Sequence, residues 1–380
     1  MSFERKKNGK TLLFIGGPAD AVPALARAWA LGYTVLVVDG DIGCPGIGWV
    51  DGMFKKECYP EFREKYQGSY SWAVADVYDP KAVLNTCLIT PVDGVLAVAT
   101  DVAPVVSTVA RERGLPHVCE EVAALSWDKV ALKSKLAKAG IPVPGRADFV
   151  VKPGKMGRGA RGVTVVSVTQ DAYTLRHPAI TKAEEASDEP SVILERFVPG
   201  PQVSAEAVVW DGKVVFAGYT DRDYSNGFPV EAGGWGPSVH DMGFNKNNED
   251  YCIMQRVVEA VDMRAGTLKL DIVMDSERGG LPTVIEGAFG RLSGGLMCSH
   301  YLPLVYGVDF LGAAFAVACG EDPGRFFEQW SHTRYLRGIY KNVKAKVHKE
   351  RGRFFLGVGR TAAEAERKAV KVQERWRNDG

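Results

Sequence analysis

The sequence predicts an α/β chain in which a parallel-sheet domain comes first and two α+β units built on antiparallel sheet follow. Three observations predict it. The first third alternates short apolar strands with helices, the pattern of a parallel sheet covered by helices. Pro142 and Pro144 then hold the chain extended and break that alternation. Beyond them, apolar runs come in pairs joined by Gly-containing turns, the mark of antiparallel hairpins.

The elements follow in order. Thr11 to Ile15 reads as a buried strand ending at Gly16 and Gly17. Ala21 to Leu31 reads as a helix, with Asp20 as N-cap, Pro23 in the first turn and Gly32 as its stop. YTVLVVDG is the next strand, DGVLAVA a later one, and Val102 to Arg113 a helix stopped by Gly114. The stretch GGPADAV is not a dinucleotide fingerprint, because it has no G-x-G-x-x-G and carries Pro18. Ser126 to Gly140 is a helix with Ser126 as its cap and Asp128 in its first turn. These signals divide the chain into 1–125, a Rossmann-like domain, then 126–205, a small α+β unit, and 206–380, a larger one.

In the antiparallel part, FVVKPG, RGVTVVSV and SVILERF read as strands, and the acidic stretch from Ala183 to Pro190 as a surface loop. SAEAVVWDGKVVFAG is a hairpin turning at Asp211-Gly212, and LKLDIVM with PTVIEGA a second one turning around Arg278, Gly279 and Gly280. The chain closes on a helix from Thr361. Thr361 and Glu364 form a capping box, and Ala362, Ala365, Ala369, Val372 and Trp376 make its apolar stripe.

Composition removes several function classes. With 46% apolar residues and a net charge of +1 over 380 residues, the chain carries no basic tail for nucleic acid and no polybasic membrane patch. No apolar run reaches about 18 residues, as a membrane helix would need, and the N-terminus lacks an export signal. Seven scattered cysteines without a CxxC pair argue against zinc and fit reduced thiols in a cytoplasmic protein.

Four segments carry chemistry. In FVVKPGKMGRGARGV a strand delivers Lys152 into a loop holding Lys155, Gly157, Arg158, Gly159 and Arg161. Glycines let backbone N–H groups turn toward phosphate oxygens, and the cations in the turn repel one another unless an anion is present. The lysine precedes the glycines and no helix follows, so this is a flap rather than a Walker A loop. Glu195, Arg196 and Val198 run into a Pro-Gly turn, an edge able to present backbone to an adenine. Asp271 and Glu286 stand equally far from the Arg278–Gly279 turn and face each other. Facing carboxylates need a cation between them, and Mg²⁺ uses one or two carboxylates plus substrate phosphates. Past them, Arg291 suits a phosphate or carboxylate clamp, and the turn at Ser293 and Gly294 an anion nest.

A lysine on a helix, a lysine-glycine flap, a hinge strand and paired acids followed by Arg-x-x-Gly together resemble the ATP-grasp superfamily. The resemblance is strongest to its carboxylate–amine ligases, including the amino-acid ligases, and runs from Ser126 to Gly295. It implies an ATP-grasp fold clamping ATP, preceded by a Rossmann-like domain. It implies an ADP-forming ligase that makes an amide or peptide bond through an acyl phosphate. ATP and Mg²⁺ are the implied cofactors, with Mn²⁺ as substitute ion. The implied partners are a small-molecule carboxylate and an amine, amino acids among them, and a homodimer is compatible. Lys129 and Lys152 would meet ATP, Gln202 would stand in the ribose position usually held by Glu, and Arg291 with Lys152 would serve catalysis. Arg222, Tyr224 and His240 would line the acceptor pocket, Arg222 gripping a carboxylate. Glu286-Gly-Ala-Phe-Gly-Arg291 departs from the family's Glu-x-Asn-Pro-Arg, so a third metal ligand is absent from its usual place. Two other readings stand beside the ligase: bicarbonate activation, and an ATP-binding regulator with weakened catalysis.

Overall fold

A computed structural model describes residues 8–56, 70–88, 90–145, 150–155, 161–166, 172–187, 191–225, 231–240, 253–328, 334–344 and 349–378. The first sheet contains β1 (Thr11–Ile15), β2 (Thr34–Asp39), β3 (Tyr70–Val74) and β4 (Gly94–Leu96), all parallel, in the order β3-β2-β1-β4. Alternate residues of β1 serve opposite faces. Leu12 and Phe14 pack with α1 (Val22–Ala30) and α2 (Pro45–Lys56). Leu13 and Ile15 pack with α3 (Pro80–Thr86) and α4 (Ala103–Glu112). Burial on both faces is why these strands read as continuous apolar runs.

Two expected caps are corrected. Asp20 does not cap α1; its carboxylate accepts from Gly295 N at 2.7 Å, in a distant part of the chain. Ser126 does not cap the helix after it. After α5 (Glu120–Ala124), α6 runs from Lys129 to Lys138, and Asp128 caps it by accepting from Ala131 N at 2.8 Å. Ser126 Oγ instead accepts from Phe289 N at 2.9 Å.

The small sheet holds β5 (Val150–Pro153), β6 (Thr164–Val165) and β7 (Val192–Glu195) in the antiparallel order β6-β5-β7. It packs on α7 (Ala172–Glu185) through Ala179 and Ala183. The loop expected from Ala183 therefore begins later: the helix continues to Glu185, because Ala183 is wholly buried against the sheet.

The large sheet is antiparallel throughout. It contains β8 (Gln202–Trp210), β9 (Lys213–Asp223), β10 (Gly233–Gly236), β11 (Gly266–Asp275), β12 (Leu281–Phe289), β13 (Tyr335–Lys344) and β14 (Lys349–Gly359), in the order β12-β11-β8-β9-β10-β13-β14. The β8–β9 hairpin turns at Asp211 and Gly212, both at positive φ (49° and 75°), as a two-residue primed turn requires. One face buries Val203, Ala205, Ala207, Leu268, Leu270 and Ile272 against α6 and α8 (Ile253–Val261). The opposite face carries Gln202, Ser204, Glu206, Lys269 and Asp271, all buried. Burying that many polar groups costs free energy unless each finds a partner, so this face is where function is sought.

Further along the same face Val208 and Phe216 join a core with α9 (Leu302–Tyr306), α10 (Phe310–Ala318) and one side of the parallel sheet. That core fixes the first domain against the large sheet. The closing helix α11 (Ala362–Asn378) seats Ala365 and Ala369 on β14, and Glu364 N donates to Thr361 Oγ1 at 3.2 Å as its capping box requires.

Candidate active site

Lys129 and Lys133 lie one turn apart on α6 and are both buried. They share the inward side with Leu132 and Leu136, which anchor the helix in the core. Lys129 Nζ lies 3.5 Å from Glu286 Oε1. Lys133 pairs with Glu195 Oε1, and Lys152 Nζ sits 2.5 Å from Glu195 Oε2. One buried carboxylate thus faces two ammonium groups. Burial, then the neighbouring Lys152, holds Lys133 well below the usual lysine range. Burial lowers Lys152 as well, against the pull of Glu286.

The acid pair is formed. Asp271 and Glu286 are register partners on β11 and β12. Their surroundings differ. The Glu286 side chain is 43% exposed, whereas that of Asp271 is only 6% exposed. Partial burial would raise the Glu286 carboxyl, yet Lys129, Lys269, Lys152 and Arg291 together hold it below the usual range. Asp271 is enclosed by cations: Oδ2 pairs with Lys269, and Oδ1 lies 2.7 Å from Arg222 Nη2.

Magnesium fits Glu286, a hard oxygen donor open to the cleft, with phosphate oxygens and water completing the shell. It does not fit Asp271 in this state, because both carboxylate oxygens are already matched by cations. Among the described residues no group of three or more His, Cys, Asp or Glu side chains is arranged to hold a metal ion.

The other expected site residues divide into those that converge here and those that do not. Arg222 lies beside Asp271, Glu231 (3.7 Å) and Tyr224. Gln202 begins β8 on the polar face, opposite Val273. Arg291 reaches the site's border, where Nη2 meets Asp101 Oδ1 at 2.7 Å. The turn at Ser293 and Gly294 already holds a carboxylate: Asp20 Oδ2 accepts from Gly295 N and would lie 2.6 Å from any Cβ on Gly294. Arg196 stands apart. It pairs with the fully buried Asp275 and, at 2.8 Å, with Glu277, clasping the hinge to the β11–β12 turn. Val198 is buried in that hinge. His240 anchors its backbone N on Ser238 Oγ at 3.1 Å, next to Asp221. Lys155 follows β5, and its backbone forms an isolated antiparallel β-bridge with Asp128; Arg161 is exposed. Gly157, Arg158 and Gly159 lie outside the described residues.

Sequence reading missed Lys133, Glu206, Asp20 and Asp101 as members of this region. Lys133 carried a signal, since its four-residue spacing from Lys129 puts it on the same side of the helix. Glu206 lies opposite Lys269 on β8, and burial pushes its carboxyl up to about 7. Asp20 and Asp101 come from the ends of the parallel sheet, and nothing local connects them to residues near 291–295.

A parallel sheet followed by two antiparallel units, with lysines and facing acids where they meet, defines the ATP-grasp fold, and this chain has it. Solved structures of that fold match the chain over its length. An N5-carboxyaminoimidazole ribonucleotide synthetase in complex with ADP is 16% identical, with 99% of each chain covered and a TM-score of 0.71. An L-amino acid ligase from Bacillus licheniformis is 17% identical, covering 97% of this chain and 98% of that one at a TM-score of 0.68. The biotin carboxylase domain of the Hydrogenobacter thermophilus 2-oxoglutarate carboxylase, crystallised with MgADP and bicarbonate, is 16% identical, covering 88% and 74% at a TM-score of 0.66. No protein-family model and no curated protein matches the sequence. Among the described residues no helix is long and apolar enough to cross a membrane.

Proposed function

We propose that this chain is an ATP-dependent ligase that joins a small-molecule carboxylate to an amine and releases ADP and phosphate. One observation carries the reading: Glu195 faces two buried ammonium groups while Glu286 opens to the cleft beside Lys129. Among the described residues three lysines, Lys129, Lys133 and Lys152, pair with two carboxylates, Glu195 and Glu286, and a nucleotide's phosphates would supply the further negative charge. In this reading Lys129, Lys133 and Lys152 hold the phosphates, and the flap from Lys155 to Gly162 would cover them. The hinge backbone beyond Glu195 receives the adenine, and Gln202 the ribose.

Glu286 would hold Mg²⁺, which when bound offsets charge on the transferring phosphoryl group. The substrate carboxylate attacks the γ-phosphorus, the bond to the β-phosphate oxygen breaks, and ADP leaves. The lysines offset the charge spread over the phosphoryl oxygens. The amine then attacks the acyl carbon, and inorganic phosphate leaves with the carbon–oxygen electron pair. Arg291 lies beside the acyl group in this scheme, and Arg222 with Tyr224 and His240 faces the carboxylate substrate. A closed flap keeps water from the acyl phosphate.

Incubation with ATP, Mg²⁺ and pooled amino acids is expected to yield ADP and phosphate in equal amounts. AMP and pyrophosphate would sink the acyl-phosphate scheme. The likeness to the bicarbonate-bound carboxylase domain supports one other reading, bicarbonate activation, which would appear as bicarbonate-dependent ATP turnover without amino acid. The enclosure of Asp271 by two cations supports a third, a nucleotide-binding regulator, which would bind ATP without turnover in any pool.

A further inference from the structure

We propose that Arg222 and Asp271 form an exchange site: a substrate carboxylate taken up by Arg222 releases Asp271 to a divalent cation, so that the two ligands bind cooperatively. The proposal rests on the reading of Glu286 as the metal's anchor.

Asp271 is the natural second ligand, since it is the register partner of Glu286. It is withheld by two contacts. Lys269, two residues away on the same strand, takes Oδ2, and Arg222 on β9 takes Oδ1 at 2.7 Å. Lys269 shares Asp271's strand and its face of the sheet. Arg222 comes from another strand, and its grip is the weaker in kind. Among the described residues, neither Asp271 Oδ1 nor Arg222 Nε has a hydrogen-bond partner, although both are buried. The contact is one of charge, off the line an N–H···O bond needs.

A guanidinium offers its Nε–Nη2 edge to a carboxylate as two parallel bonds. Here, among the described residues, Nε has no hydrogen-bond partner, Nη2 is divided between Asp271 and Ser204 Oγ at 3.3 Å, and Tyr224 also hydrogen-bonds the guanidinium. Glu231 lies 3.7 Å from Nη1, which is not part of that edge. A free carboxylate docking on Nε and Nη2 would satisfy a buried donor that has no acceptor among the described residues, and would take Nη2 from Asp271. Oδ1 is then exposed beside Glu286 as an oxygen donor. Thermodynamic reciprocity requires the metal, by drawing on Asp271, to favour carboxylate binding equally. The consequence is order: the metal site becomes complete when the acid to be activated is present.

The test is Mn²⁺ binding to the nucleotide-free full chain, followed by the electron paramagnetic resonance signal of the free ion. A pool of common amino acids is expected to tighten Mn²⁺ binding by about tenfold, and a pool of amino-acid amides, which lack the carboxylate, to leave it unchanged. Arg222→Gln is expected to show the tighter binding without the pool and no response to it. Adding Asp271→Asn to Arg222→Gln should cancel the gain. A gain that survives Asp271→Asn reflects only the loss of a positive charge and overturns the proposal. Wild-type affinity that ignores the acid pool also overturns it, and that arm needs no variant to fold. Loss of Mn²⁺ binding in Glu286→Gln alongside either result keeps the metal reading standing; Mn²⁺ binding indifferent to Glu286→Gln overturns that reading and the exchange with it.

Discussion

Glu286 faces Asp271 because of one extra residue, Ile285. Near the turn, β11 and β12 pair Asp275 with Leu281 and Ile272 with Val284. Continued unbroken, that register would set Glu286 beside Leu270, whose side chain lies in the apolar core. The irregularity between Asp271 and Ile272 leaves Ile285 unpaired and moves Glu286 onto the polar face. A one-residue shift reverses every side chain in a strand, and a bulge does so locally without disturbing the rest.

The first consequence concerns Glu286 itself. Glu286→Gln is expected to lower ATP turnover by at least about 100-fold, the scale for removing one electrostatic stabiliser from a site. The far-ultraviolet circular dichroism should match the wild type, because the side chain is 43% exposed. Phosphate release measured at saturating ATP checks it; wild-type turnover would remove Glu286 from the site.

Glu195 is expected to behave differently. Glu195→Gln leaves Lys133 and Lys152 buried without their carboxylate. Breaking a buried pair from one side typically costs about 3–5 kcal/mol. Urea unfolding should show a loss on that scale, partly recovered by tripolyphosphate, which supplies the missing negative charge. No change in the midpoint would show that the lysines are not held by Glu195.

Arg196 separates stability from binding. Its pairing with Asp275, which is fully buried, predicts that Arg196→Ala destabilises the fold by about 3 kcal/mol. ADP affinity, measured by calorimetry well below the unfolding temperature, should be unaltered. A variant of wild-type stability with weakened ADP binding would return Arg196 to the nucleotide site.

Glu206 predicts a dependence on pH. Its ordinary value of 4.5 is raised to about 7 in the fold, first by burial. Between those values the native state keeps a proton that the unfolded chain gives up. Stability from this group is therefore complete below about 4.5 and declines as pH rises through 7, by roughly 3 kcal/mol in all. Glu206→Gln should remove that decline, so the variant gains on the wild type as pH increases from 5 to 8. Parallel stability curves for the two proteins would contradict the raised value.

Much of the architecture was legible because its signals are local. The Asp211-Gly212 turn, the alternation in LKLDIVM and the caps near Thr361 are each written within a few residues. The helix Pro45–Lys56 was not legible, because Gly46, Gly48 and Gly52 argue against a helix and only packing on the parallel sheet outweighs them. Asp20 and Ser126 looked like caps on composition, yet each spends its oxygen on a backbone N–H far along the chain. The facing of Asp271 and Glu286 was expected from equal spacing about a tight turn. The structure reaches the same pairing by another route, a longer turn through Ser276–Arg278 followed by the bulge at Ile285.

By itself the sequence determined the strands with a clear apolar pattern, the two hairpin turns near Asp211 and Arg278, and that a lysine strand and two acids recur in an order resembling the ATP-grasp superfamily; it did not mark β3, β10 or β13. Periodicity and turn chemistry act over neighbouring residues, so one dimension suffices for them. Only the tertiary structure decided which charges meet: Lys133 with Glu195, Arg222 with Asp271, Arg291 with Asp101, and Asp20 with the turn at Gly295. Coulomb energy and hydrogen bonding depend on distances of a few ångströms through space. Those distances are set by how two sheets pack across a shared core, which no stretch of sequence states.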